Sequence, residues 1–124
     1  MVDQIKPVVF EKPIAILFRK MGYEARATKL SGDQGVDVIA EKLNRVIAIQ
    51  AKLYSNPVGN SAIQEVVAWK QYYHANEAYV ITNNRFANSA QELARANGVV
   101  LWDRDKLSEM LSIYAIYTTE LYHD

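Results

Sequence analysis

Apolar residues in the first part of the chain recur at helical spacing and predict an opening helix. Four of them would share its buried side: Ile14, Leu17, Phe18 and Met21. We expect Pro7 in an extended lead-in, Pro13 in the first turn of the helix, and Gly22 at its end. Beyond Gly22 the spacing changes, and alternation over residues 23–29 predicts a first strand.

Two apolar runs, at residues 36–40 and 46–52, predict neighbouring strands joined by a two-residue turn at Leu43-Asn44. The rest of the chain alternates between helical and strand patterns: a helix from Asn60 or Ser61 to about His74, a strand over 78–82, a helix over 90–96 stopped by Asn97-Gly98, a strand over 99–102, and a helix opened by Asp103 or Asp105. This order predicts an antiparallel meander joined to parallel crossover units. The expected fold class is therefore α/β (α+β), a mixed sheet with helices on both sides.

The two hairpin strands carry an acid, an amide and a lysine. Residues two apart on a strand point to the same side, so Gln50 and Lys52 share one face. A turn at Leu43-Asn44 places Asp37 directly opposite Gln50, with Lys52 on the diagonal. A carboxylate, an amide oxygen and an ammonium on one face could hold a divalent cation and a water, as phosphodiester hydrolysis requires.

An ordinary ion pair between Asp37 and Lys52 on a solvated sheet face is the alternative interpretation, and it would contribute little. The apolar positions of both strands favour the other interpretation, because they indicate burial on both faces of the sheet. Polar groups in a buried sheet cost free energy unless they are paired. Three of them close together therefore indicate a functional site.

Composition narrows the classes of protein. The 124 residues predict one domain, 1–124, which is small for an enzyme that acts alone. The absence of cysteine excludes disulfides, thiolate metal sites and cysteine nucleophiles, and no apolar run reaches the length of a signal sequence or a membrane span. We expect a cytoplasmic protein that does not bind membranes. A net charge of zero predicts weak, strongly salt-dependent binding to nucleic acid.

Several segments, in order and with consistent spacing, closely resemble the catalytic domain of the Mrr-type restriction endonucleases, members of the PD-(D/E)xK nuclease superfamily. The matching segments are GDQGVDVIAEK, IAIQAKLY, PVGNSAIQEVV, AYVITNNRF, SAQELARANGV and LWDRDKL. The likeness extends back through Phe10-Glu11. It implies a restriction-endonuclease-like αβββαβ core with flanking helices.

The resemblance also implies a role for each polar residue of the hairpin. Asp37 is similar to the metal-binding acid of the second strand, and Gln50 stands where many relatives have Glu or Asp. The backbone carbonyl of Ala51 would be a third ligand to Mg²⁺, with Mn²⁺ as a substitute. Lys52 would orient or deprotonate the attacking water and stabilise the charge that develops on the phosphorane.

Two further residues are candidates on the same ground. Glu11 resembles a first-helix acid that can reach a second cation, although a carboxylate at a helix N-terminus needs no such role. Gln64 lies where relatives often place a polar residue that faces the site, or it is a solvated helix position. Relatives often carry Arg where this chain has Leu53, so a cation beside the site is missing and we expect a lower affinity for DNA.

The leading hypothesis is a magnesium-dependent DNA endonuclease related to type IV restriction enzymes. The alternatives are a non-catalytic, nuclease-like DNA-binding or assembly module, and a structure-selective resolvase of the Holliday-junction type. A separate DNA-recognition subunit is a further expected partner. The segment from about residue 107 has an apolar and aromatic excess: Ile113, Tyr114, Ile116, Tyr117, Leu121 and Tyr122. It could pack on the core or form a homodimer interface.

Overall fold

The structure, a computed structural model, describes residues 7–28 and 35–114, with side chains from residue 13 onward. Nine elements follow one another in the predicted order: α1 (Pro7–Lys20), β1 (Glu24–Ala27), β2 (Val38–Lys42), β3 (Arg45–Lys52), α2 (Asn60–Lys70), β4 (Glu77–Thr82), α3 (Asn88–Asn97), β5 (Val99–Trp102) and α4 (Arg104–Ile113). None of the helices described is both long and apolar enough to cross a lipid bilayer.

The five strands form one mixed sheet in the order β1-β2-β3-β4-β5. The first three strands are antiparallel, and β3, β4 and β5 are parallel. Lys42 pairs with Arg45, so the chain reverses through the two residues Leu43 and Asn44 as predicted. The mixed α/β fold and its meander joined to crossover units are therefore confirmed.

Helices cover both faces of the sheet, and alternate residues of β3 enter the two resulting cores. Ile47 and Ile49 pack in a cluster with residues of α1 and α4. Ala48 lies in the opposite cluster, with residues of α2 and α3. Because side chains alternate along a strand, Gln50 and Lys52 project toward α2 at the carboxyl end of β3.

Two predictions about α1 are wrong. Pro7 is the first residue of the helix rather than part of an extended lead-in, which is compatible with its missing N–H because the first helical amides have no intrahelical partner. Pro13 lies inside the helix, where its ring is buried. The helix end is as expected, because Gly22 has φ of 99°.

Helix α2 is shorter than predicted. It ends at Lys70, and residues 71–74 form a turn. His74, the predicted end of the helix, has φ of 56°, in the left-handed region that ends helical geometry. In contrast, α3 stops as predicted, because Gly98 adopts φ of 66° and its amide reaches the last carbonyls of the helix.

Gly35 brings the start of β2 close to α2. It has φ of 70°, and a Cβ atom at this position would lie 2.9 Å from the Cβ of Glu65 and 3.0 Å from the Glu65 carbonyl oxygen. Helix backbone cannot move aside as the tip of a flexible side chain can. The residue at position 35 must therefore be glycine both for its backbone angle and for its close approach to α2.

We predict that Gly35→Ala destabilises the protein more than Gly98→Ala does. Both glycines have similar positive φ values, so both substitutions incur a backbone cost of about 1–2 kcal/mol. Only Gly35→Ala adds a steric clash, which should cost about 1–3 kcal/mol more. Urea denaturation of the two variants measures the difference in the free energy of unfolding. Equal losses would contradict the close approach of Gly35 to α2.

Candidate active site

Asp37 lies just before β2 rather than within it, although the β2–β3 ladder has the predicted register. The ladder pairs Val38 with Ile49 as expected, but the amide of Asp37 donates to the carbonyl of Ile49 at 2.8 Å. The Asp37 carboxylate accepts a hydrogen bond from the Ala51 amide at 2.7 Å. The side chain has thus taken the place of a strand carbonyl, so Asp37 is not a simple cross-strand partner of Gln50. Asp37 is only 4% exposed.

The Ala51 carbonyl belongs to the same end of the sheet. In a strand the N–H and C=O groups of one residue project toward the same neighbouring strand. The Ala51 amide points to Asp37, so its carbonyl lies on the Asp37 side of β3 as well. The described β2 ladder ends at the pair Val38–Ile49, before it reaches Ala51.

Gln50 is a polar residue buried within the sheet, with only 2% of its surface exposed. Its amide nitrogen Nε2 donates to Oε1 of Glu65 at 2.8 Å. A carboxylate only accepts hydrogen bonds, so this contact fixes which end of the amide faces α2. The Gln50 Oε1 atom therefore points elsewhere, and it is buried without a hydrogen-bond partner among the described residues.

Lys52 lies beside Gln50 on the same face. Its ammonium is 3.3 Å from Oε1 of Glu65 and 5.4 Å from the centre of the Tyr54 ring. Partial burial alone would lower the pKa of Lys52, but the polar contact with Tyr54 and the charge of Glu65 outweigh it, so the pKa lies above its ordinary value. Lys52 is therefore a cation at neutral pH. This favours charge stabilisation and water orientation over proton abstraction.

Glu65 is the residue that sequence reasoning missed. The sequence left Gln64 as either a polar residue that faces the site or a solvated helix position. Gln64 is exposed on α2, and the carboxylate of Glu65 makes the contacts to Gln50 and Lys52. The helical phase could have indicated this, because Ala62 and Val66 are buried. Residues three and four apart share a helix face, so position 65 borders the buried stripe and position 64 does not.

Two other predictions concern residues that the structure does not describe in full. Glu11 lies in α1, but its side chain is outside the described residues, so its role stays a prediction. The C-terminal segment proposed for a homodimer interface lies outside the described residues from position 115 onward. Within the described part, Ile113 is exposed and Tyr114 packs at the edge of the core.

The residues at this end of the sheet fit a hard divalent cation. They provide the Asp37 carboxylate, the unpartnered Oε1 of Gln50 and the Ala51 carbonyl, all of them oxygen atoms. Magnesium prefers oxygen ligands and retains several waters, so it does not need a cage of carboxylates. Among the side chains that the structure describes, in residues 13–28 and 35–114, no group of three or more His, Cys, Asp or Glu could hold a metal ion.

We predict that Gln50→Leu raises the stability of the metal-free protein while it removes the proposed site. The buried Oε1 atom has lost its water and has gained no described partner, which costs about 1–3 kcal/mol. Leucine has a similar size and no polar atom to satisfy. It also removes the hydrogen bond from Nε2 to Glu65, but that carboxylate is about half exposed and can accept from water instead. Thermal unfolding in excess chelator should show a higher Tm for the variant. A Tm well below that of the wild type would indicate that the amide oxygen is satisfied in solution.

Comparison with known proteins identifies the family to which the chain belongs. A family model described as a restriction endonuclease matches residues 2–111. The type IV methyl-directed restriction enzyme EcoKMrr of Escherichia coli strain K12 is 26% identical over 117 residues, which cover 87% of this chain. The chain spans 38% of the length of that enzyme.

Solved structures share the fold at lower identity. A protein of unknown function, AF1548, gives a TM-score of 0.76 at 21% identity over 94% of this chain and 71% of its own. The DNA modification-dependent restriction endonuclease AspBHI gives 0.74 at 19% identity, over 94% of this chain and 34% of its own. The MspJI restriction endonuclease, in complex with a 27-mer oligonucleotide, gives a TM-score of 0.66 at 22% identity, over 91% of this chain and 30% of its own. These structures show the shared fold, and the family model shows that the chain belongs to the Mrr-type restriction endonuclease family, in the PD-(D/E)xK superfamily.

Proposed function

We propose that this domain is a magnesium-dependent DNA endonuclease. The observation that carries the proposal is the buried, unpartnered Oε1 of Gln50 on the hairpin strand next to Asp37. A buried acceptor without a partner is costly, and a bound cation would satisfy it. The family supports DNA as the substrate, and MspJI, which shares the fold, was solved with an oligonucleotide.

Each residue has a distinct task in the proposed reaction. Asp37, Gln50 and the Ala51 carbonyl would hold the ion, with Mn²⁺ as a substitute for Mg²⁺. When bound, the ion would polarise the phosphate and lower the pKa of a water. Lys52 orients the attacking water and stabilises the negative charge that grows on the phosphate in the transition state. Because Lys52 carries its proton at neutral pH, we assign it no role as the base.

We expect the domain alone to bind DNA weakly. With equal numbers of basic and acidic residues, the chain has no strong excess of cations to attract phosphates, and affinity for DNA should fall steeply with salt. The chain corresponds to about two fifths of EcoKMrr, so the methyl-directed specificity of that enzyme is no part of this proposal. A separate DNA-recognition subunit and a homodimer remain our predictions for its partners.

Plasmid cleavage tests the proposal. Supercoiled DNA is incubated with the protein and Mg²⁺, with Mn²⁺, or with excess chelator, and linear duplex and four-way junctions are compared in parallel. We expect nicked or linear products only when a divalent ion is present. Selective cutting of the junctions would favour the resolvase alternative. No cutting of any DNA with either ion would favour the non-catalytic module.

A further inference from the structure

One oxygen atom of Glu65 connects Gln50 and Lys52 of β3. Its Oε1 accepts from Gln50 Nε2 at 2.8 Å and lies 3.3 Å from the ammonium of Lys52. The side chain is about half exposed, so it reaches the site from α2 across the edge of the buried core. Its backbone packs closely against Gly35. Helix α2 thus presents one carboxylate to both Gln50 and Lys52.

Glu65 adds a negative charge beside the proposed metal ligands. The proposed ligand set contains one carboxylate, Asp37, because the side chain of Gln50 is neutral. Glu65 brings a second negative charge into direct contact with the Gln50 amide. A hydrogen bond to a charged acceptor polarises an amide and makes its oxygen a better ligand.

We propose that Glu65 is a positioning residue that orients the Gln50 amide toward the cation and supplies the negative charge that Gln50 lacks. This inference rests on the proposed metal site. Without the Glu65 carboxylate the amide could rotate and present its NH₂ group to the ion, which no cation tolerates. Lys52 would also lose its counter-charge and could move toward the ion. Both effects weaken metal binding without removing a ligand.

A double-mutant cycle between positions 50 and 65 tests whether Glu65 acts on the metal site through Gln50. If Glu65 supplies the charge missing from Gln50, then Glu65→Gln should matter only while position 50 is an amide. We expect Glu65→Gln to weaken Mn²⁺ binding about 10- to 100-fold in the wild-type background, as is typical when a group supporting a metal ligand is lost. In the Gln50→Glu background, the same change should cost little, because a carboxylate needs no orientation and the new amide at position 65 can donate to it.

Two readouts separate positioning from a merely structural role. Paramagnetic resonance measures Mn²⁺ binding directly, without DNA. The Mg²⁺ dependence of plasmid nicking should show a higher half-saturating concentration for Glu65→Gln, with a near-normal rate at saturating Mg²⁺. Glu92→Gln, an exposed change on α3, is the matched control and should alter neither readout. Thermal unfolding of each variant checks that it is folded.

The outcomes are distinct. Suppose that the wild type binds Mn²⁺ and nicks DNA, and that Glu65→Gln does both equally well. This result would overturn the role of Glu65 and leave the proposed function intact. Equal losses from Glu65→Gln in both backgrounds would also overturn it, since the charge would then act independently of Gln50. A wild-type protein that neither binds Mn²⁺ nor nicks DNA would overturn the proposed function and the role of Glu65 together.

Discussion

Asp37→Asn is expected to lower metal-dependent DNA cleavage by more than about 100-fold, because even loss of a group that only supports a metal ligand can cost that much. Asparagine keeps the size of the side chain, and its amide oxygen can still accept the hydrogen bond from the Ala51 amide. The substitution therefore removes the charge and preserves the local structure. Asp37→Ala is less informative, because it would leave the Ala51 amide without its partner at a cost of about 1–3 kcal/mol.

Plasmid nicking at saturating Mg²⁺ and Mn²⁺ binding measure the two consequences of Asp37→Asn. Both should be lost while the Tm stays near that of the wild type. Asp105→Asn, an exposed acid in the first turn of α4, is the matched control and should cleave normally. Wild-type cleavage by Asp37→Asn would contradict its role as a ligand.

Lys52→Met is expected to lower the rate of cleavage about 100- to 1,000-fold, the loss typical for removal of one group that stabilises transition-state charge. Methionine retains the length of the side chain, and Lys52 contacts Glu65 and Tyr54 rather than the proposed ligands. Metal binding should therefore survive. Single-turnover nicking separates this loss from weaker DNA binding. Lys70→Met, at the far end of α2, is the control.

The pH dependence of the wild type provides a second check on Lys52. Its pKa is raised above the ordinary value of a lysine by the polar contact with Tyr54 and the charge of Glu65, which outweigh its partial burial. Its contribution to catalysis is present below that raised pKa and disappears only above it. A pH–rate profile should show no decline from Lys52 deprotonation between about pH 7 and pH 9. A decline over this range that is absent from the Lys52→Met variant would contradict the protonated role of Lys52.

The sequence was most informative where one local rule determines the geometry. A two-residue turn at Leu43-Asn44 sets the register of the whole hairpin, and period-two alternation then assigns Gln50 and Lys52 to one face. The same rule failed at Asp37. There a side-chain carboxylate replaces a backbone carbonyl in the ladder, and no spacing of apolar residues encodes that exchange.

Tertiary contacts limited what could be predicted about the site. The orientation of the Gln50 amide depends on Glu65, which follows it by 15 positions and belongs to another element. The sequence analysis considered Gln64 and not Glu65, although the helical phase set by Ala62 and Val66 places Glu65 nearer to the buried side of α2. Pro13 was misplaced for a similar reason, because burial in the core offsets the local preference for a helix start.

The most direct measurement is a crystal structure with Mn²⁺ that uses anomalous scattering to locate the ion. We expect one ion in contact with the Asp37 carboxylate, Oε1 of Gln50 and the Ala51 carbonyl, at the distances of about 2.0–2.3 Å usual for such ions. The Gln50 amide nitrogen should remain on Glu65. Anomalous density elsewhere, or Gln50 with its oxygen turned away from Asp37 while the protein is active, would contradict the proposed site.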